Sequence, residues 1–136
     1  MGLENFKKYC DSWTDESLKS DLKKFAKDFL LENANEVIIR TKLRTPVDTG
    51  KLRASWQHDE VVENGNDFSV DVLNNTEYAS YVEYGHEVVV NGQRTGKYVK
   101  GNYMLSKSMN EVENKMPDKF ETKFKKFLND RGIGNG

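Results

Sequence analysis

Arg44-Thr45-Pro46-Val47-Asp48-Thr49-Gly50-Lys51-Leu52-Arg53-Ala54-Ser55-Trp56 marks the point where the chain changes its hydrophobic period. Upstream, Leu18, Leu22, Phe25, Phe29 and Val37 follow the three-to-four spacing of one helical face. Lys19, Lys23, Lys24 and Lys27 occupy the other face. Thr14, followed by Asp15 and Glu16, supplies a start signal with acids in the first turn. Thr45 stands before a proline, which disfavours helical backbone, so the helix is expected over 17–44. Residues 1–16 are left open as a separate short helix. Pro46, Asp48 and Gly50 together read as a turn: a fixed φ, an Asx-type side-chain bond and a residue tolerant of positive φ.

Downstream the period becomes two. Leu52, Ala54, Trp56 and His58 alternate with polar residues, and Phe68, Val70 and Val72 do so after Asn64-Gly65, predicting a β-hairpin over 51–73. A short linking element follows at 76–85. A second hairpin is expected over 86–100, its strands at Val88-Val89-Val90 and Tyr98-Val99 and a polar, mobile loop at Asn91–Gly96. Asn102 is expected to cap a last helix over 103–130, where Leu105, Met109, Val112 and Met116 recur at helical steps. Pro117 is expected to begin a new turn or kink. Beyond it, Phe120, Phe124, Phe127 and Leu128 form an aromatic stripe opposite Lys119, Lys123, Lys125 and Lys126, and residues 131–136 are expected to fray. The result is an α+β fold: two long amphipathic terminal helices packed on a small antiparallel sheet built from hairpins. No internal repeat or second domain is evident, so 1–136 is expected to form one domain.

The chain of 136 residues is long enough to bury a core without disulfides or metal. Its single cysteine, Cys10, excludes an internal disulfide and suits a reducing cytoplasm. No apolar run approaches the roughly 18 residues of a membrane span, so no membrane partner is expected. Met1–Tyr9 lacks the apolar segment of a signal peptide. The net charge of −1 conceals an uneven distribution. Residues 45–96 carry 3 basic against 9 acidic groups, whereas 19–44 carry 7 against 4 and 97–136 carry 9 against 5. An acidic β-region is flanked by basic helices.

Reaction centres find little support. Asp48-Thr49-Gly50 matches the aspartic protease tripeptide, but it follows a helix end rather than an apolar strand. Gly92–Lys97 has three residues between its glycines and lacks the hydroxyl residue of a phosphate loop. His58, His86 and Cys10 show no metal-ligand spacing, and no nucleophile elbow appears. The expectation is a non-enzyme without cofactor or metal. Tyr78-Ala79-Ser80-Tyr81-Val82-Glu83-Tyr84-Gly85 is the densest aromatic segment. It reads equally as core packing or as interface anchors, because tyrosine buries much area at little entropic cost. Tyr78, Tyr81, Glu83, Tyr84 and Arg94 are the candidate interface residues.

The order of these motifs resembles the small tail-component family of tailed bacteriophages, also described as tail-completion or head–tail joining proteins. Thr45–Trp56 is close to that family's PVDTG-basic-L-R-x-S core, carried here by Thr45, Pro46, Val47, Asp48, Thr49, Gly50, Leu52 and Arg53. Tyr78–Gly85 is similar to its YA-x-YVE-aromatic-G element, and Tyr103-Met104-Leu105 to a triplet opening the last helix. His86 departs from the threonine common in relatives. The resemblance implies a non-enzymatic virion part of the neck or upper tail, assembled in the host cytoplasm as several copies in a ring. Its implied partners are further copies of itself and connector, tail terminator, tail tube or tape measure proteins. DNA is implied only as channel cargo. In such a ring the acidic β-layer is expected to line or face the channel, with basic helical surfaces meeting acidic neighbours. The competing reading is a nucleic-acid-binding phage or prophage regulator.

Overall fold

The computed structural model describes residues 1–47 and 50–133. Asp48 and Thr49 of the motif, and Gly134–Gly136 of the expected frayed tail, lie outside the described residues. Two long helices form the frame. Helix α2 (Glu16–Arg44) begins at Asp15, whose carboxylate accepts from the Leu18 N–H at 3.1 Å. It buries Leu22, Ala26, Phe29, Leu30, Ala34 and Val37 along one face. Helix α5 (Met104–Asp130) lies against it, burying Met104, Val112, Met116 and Phe127. At their far end the short helix α1 (Phe6–Asp11) completes an aromatic cluster. Phe6 meets Phe120 and Phe124 edge-on at 5.2 and 5.5 Å, and Phe25 meets Phe127 at 5.0 Å.

Small antiparallel sheets cover this frame, as the α+β expectation requires. Strands β1 (Gly2–Leu3), β3 (Val62–Asn64) and β4 (Asp67–Ser69) pair in the order β1-β4-β3. Strands β2 (Trp56–His58) and β5 (Val72–Asn74) pair outside the β3–β4 turn, with Trp56 opposite Asn74. Phe68, Val70 and Val72 point into the core, as their alternation predicted. Helix α4 (Ala79–Tyr84) then leads into a ribbon of β6 (Gly85–Val90) and β7 (Gln93–Lys100).

Several local expectations need correction. The strand expected from Lys51 begins only at Trp56. Lys51–Ala54 is a helical turn, α3, closed by the Ala54 N–H on the Gly50 carbonyl at 2.9 Å, with Leu52 inward. The anticipated loop over 91–96 is a two-residue turn. Asn91 and Gly92 both have positive φ, 50° and 78°, so Val90 pairs with Gln93 and strand continues through Thr95. Helix α5 passes through Pro117 without interruption. The missing proline N–H falls opposite the carbonyl of Glu113, an exposed residue. Arg131–Ile133 do not fray: Ile133 N–H bonds to the Leu128 carbonyl at 2.9 Å and Gly132 N–H to Asn129 at 3.0 Å, a Schellman closure. The guanidinium of Arg131 also sits 3.8 Å over the Phe127 ring.

Candidate interaction surface

Thr45, the first motif residue, caps α2 and is buried. Its hydroxyl donates to the Thr41 carbonyl at 2.6 Å and accepts from the Trp56 indole N–H at 2.9 Å. The motif therefore pins the end of α2 to the first strand. Leu52 is buried, and its carbonyl receives the Asn74 amide at 2.8 Å. Gly50 caps α3 with positive φ, Val47 is exposed, and Arg53 is half-buried. These motif residues shape a structural corner.

The second motif forms the root of the ribbon. Glu83, placed among the interface candidates, is only 5% exposed. Its carboxylate accepts from the Leu105 N–H at 2.8 Å and the Ser106 N–H at 3.0 Å, and also binds the Ser106 hydroxyl. These are the second and third N–H groups of α5, the donors that an N-cap side chain ordinarily serves. Glu83 thus caps α5 from another helix, with its negative charge at the positive end of the helix dipole. Asn102, expected to cap α5, instead donates its amide to the Arg44 carbonyl at 3.2 Å.

Backbone contacts complete the root. Asn102 N–H meets the Val82 carbonyl at 2.7 Å and Tyr103 N–H the Glu83 carbonyl at 3.0 Å. They hold Tyr103 at φ 54°, a left-handed conformation uncommon for an aromatic residue. Gly85 and Gly101 let the entering and leaving chains pass at backbone contact.

From this root the ribbon projects, making its principal outside contact with α4. Every residue of β7 is exposed. Glu87 braces the ribbon, receiving Arg94 Nε at 2.6 Å and the Gly96 N–H at 3.1 Å. Around the root, Tyr78, Tyr81 and Tyr84 are exposed, Tyr84 at 67%, and Tyr98 on the ribbon reaches 71%. Tyr81 leans on His86 at 5.3 Å and Tyr84 on Tyr103 at 6.4 Å. Three of the five candidate interface residues are thus exposed aromatics on α4 or at its N-cap, Arg94 lies on the ribbon, and Glu83 is interior.

A second apolar patch escaped the sequence reading. Ile39 and Leu43 are exposed on the last turns of α2, Leu43 at 74%, and Val47 is exposed beyond its end. The four-residue spacing of Ile39 and Leu43 was its available signal.

The charge pattern is also refined. Basic groups on the long helices largely find acids within the chain: Lys119 with Glu36, Lys123 with Glu32, Lys24 with Asp28, Lys125 with Glu121 and Lys126 with Asp130. Glu111 ties α5 to α2, receiving Arg44 at 2.6 Å and Arg40 at 3.0 Å. Bonds from Arg44 first, then Arg40, lower its pKa from 4.5 to about 2. Because the folded-state value is depressed, this contribution is complete above the ordinary carboxylate range and disappears as pH falls from about 4.5 toward 2. Thermal melts should show wild-type stability falling across that window, and Glu111→Gln should flatten the fall. Identical pH profiles for the two proteins would refute this linkage.

Among the described residues, no three His, Cys, Asp or Glu side chains gather as a metal site. An open groove of about 510 Å³ is lined by residues including Lys51, Trp56, Thr76 and Tyr78. Burial pushes the Cys10 thiol up to about 11, unsuited to thiolate chemistry at neutral pH. Among the described residues, no helix is long and apolar enough to cross a membrane.

Comparison with family models matches residues 11–85 to the family described as "Bacteriophage HK97-gp10, putative tail-component". The chain belongs to that family. The matched stretch runs from the end of α1 through the Thr45–Trp56 corner to Gly85, where the ribbon begins. Both motifs on which the resemblance rested lie inside it, while the Tyr103-Met104-Leu105 likeness lies outside. Searches of the curated proteins and of the solved structures found no match. The family is one of phage tail components, so this is a structural phage protein by kinship.

Proposed function

We propose that the protein is a non-enzymatic virion component of the neck or upper tail, acting in tail completion or head–tail joining as a ring of identical copies. Membership of the phage tail-component family carries this reading. The two-helix frame, the ribbon held at a braced root and the exposed tyrosines around it support this reading. Large aromatic side chains at a surface are suited to anchor contacts. The partners are further copies of the chain and the connector, tail terminator, tail tube or tape measure proteins beside them. DNA passes as cargo through the channel.

Gene order and particle assembly test the proposal together. Flanking genes for portal, capsid, tail tube and tape measure are expected. Purified particles should contain the chain, and deletion of residues 91–96, the turn and first residues of β7, should leave soluble protein but prevent tail joining. Normal infectious particles from the deletion would remove the ribbon from the joining step. Regulatory gene neighbours, with salt-dependent DNA binding at about micromolar protein or below, would overturn the virion reading in favour of a regulator.

A further inference from the structure

Two open sheet edges in this chain carry opposite charge. The first is β7, paired only with β6 and exposed along its length. From Asn91 to Lys100 the chain has Arg94, Lys97 and Lys100 and no acid. Arg94 is answered by Glu87, whereas Lys97 and Lys100 join no ion pair among the described residues. The second edge is β3, the outer strand of the β1-β4-β3 sheet, whose other side has no strand. From Trp56 to Asn74 the chain has Asp59, Glu60, Glu63, Asp67 and Asp71 and no Lys or Arg. Asp59, Glu60 and Asp71 have no ion-pair partner among the described residues.

Both edges also expose apolar side chains: Val62 on β3 is 52% exposed, and Tyr98 and Val99 stand out on β7. An exposed edge with apolar side chains, interrupted here only by the irregularity around Gly96, is a liability in a chain that remains alone. It is a ready strand donor in one that assembles.

We propose that β7 of one copy adds to the β3 edge of a second copy, bringing Lys97 and Lys100 against Asp59, Glu60 and Glu63. The two surfaces are different patches of the same chain, so the contact is head-to-tail and repeats from copy to copy. Such heterologous contacts generate rings when the rotation closes. This deepens the ring reading above and rests on it. It also gives the acidic hairpin to the neighbouring copy, where the charge pattern alone had turned it toward the DNA channel.

Charge complementarity selects a second copy as the occupant. Main-chain pairing supplies the affinity, while the opposed charges select this edge and penalise β7 meeting another β7.

The test uses two full-length variants, Val99→Cys and Val62→Cys, mixed at high concentration and joined with a short bis-maleimide. Buried Cys10 is common to both and serves as the background control. The mixture should yield a crossed product at least about tenfold above either variant alone, and raising salt from about 0.05 to 1 M should reduce it. Lys97→Glu with Lys100→Glu on the Val99→Cys chain should abolish the product. Adding Glu60→Lys with Glu63→Lys to the Val62→Cys chain should restore it. Circular dichroism verifies that each variant is folded.

A product from Val99→Cys alone would indicate a two-fold contact and overturn the proposal. So would the absence of any crossed product, which returns the acidic hairpin to the channel. Either result leaves the virion reading intact if particles contain the chain. A crossed product from a chain absent from particles would defeat the virion reading while leaving this contact standing.

Discussion

Glu83→Ala is expected to lower the unfolding free energy by about 3 kcal/mol, because it leaves the Leu105 and Ser106 N–H groups at the start of α5 without their acceptor. Two charge-assisted hydrogen bonds from backbone N–H groups and one from the Ser106 hydroxyl are lost, together with a negative charge at the helix N-terminus. Solvent entering the space left by the side chain offsets part of that loss, so the estimate lies below the sum of the separate effects. Glu83→Gln keeps one carbonyl oxygen and the side-chain volume but turns an NH₂ group toward the other donor. It should cost about 2 kcal/mol. Urea denaturation measures both values, and hydrogen exchange locates the damage at the amides of residues 105 and 106. A loss under about 1 kcal/mol for Glu83→Ala, with those amides still protected, would show that the carboxylate is not the effective cap.

The same residue marks how far local sequence reading reaches. Glu83 stands 22 positions before the first N–H it serves, so no local spacing joins the two. Its chemistry was visible as a charged residue among tyrosines, which suggests a surface, whereas the fold turns it inward. Leu22, Phe29 and Val37, by contrast, announce one helical face because burial and period coincide. The aromatic stripe Phe120, Phe124 and Phe127 does the same and meets Phe25 and Phe6 as a cluster. Both helices were therefore legible over nearly their full lengths.

The ribbon was legible in place but not in form. Gly92 and Gly96 read as two breaks bounding a loop, although Asn91-Gly92 alone is the strongest short hairpin signal. Gly96 keeps positive φ within the strand, next to the Glu87 carboxylate that receives its N–H. Strand β1 is two residues long and offered no period to detect. Lys51–Ala54 misled because Leu52 and Ala54 suit two periods over so short a span, and the structure buries only Leu52. Within the Thr45–Trp56 motif the hydroxyl–indole bond bridges 11 positions and becomes visible only in three dimensions.

The root of the ribbon yields the other large effect, from a residue with no side chain. Gly101→Ala would place a Cβ 2.5 Å from the Glu83 carbonyl oxygen, 2.6 Å from the Tyr84 carbonyl carbon and 2.9 Å from Gly85 N. All three neighbours are backbone atoms, so no side-chain rotation relieves the clash. Either α4 or the end of β7 must move, disturbing the Asn102 and Tyr103 N–H bonds to Val82 and Glu83. The expected loss is about 3 kcal/mol, which for a chain of this size lowers Tm by roughly 10 °C. Gly92→Ala separates steric contact from backbone conformation. That position has φ 78° and nothing within 4 Å of an added Cβ, so only conformational strain of about 1 kcal/mol is expected. Because α4 and its N-cap carry Tyr78, Tyr81 and Tyr84, displacement at Gly101 should alter exchange protection at both Val82 and Asn102, whereas Gly92→Ala should leave that region unchanged. Equal destabilisation by the two alanines would mean that the root tolerates a side chain, and that the close passage at Gly101 does not fix the direction of the ribbon.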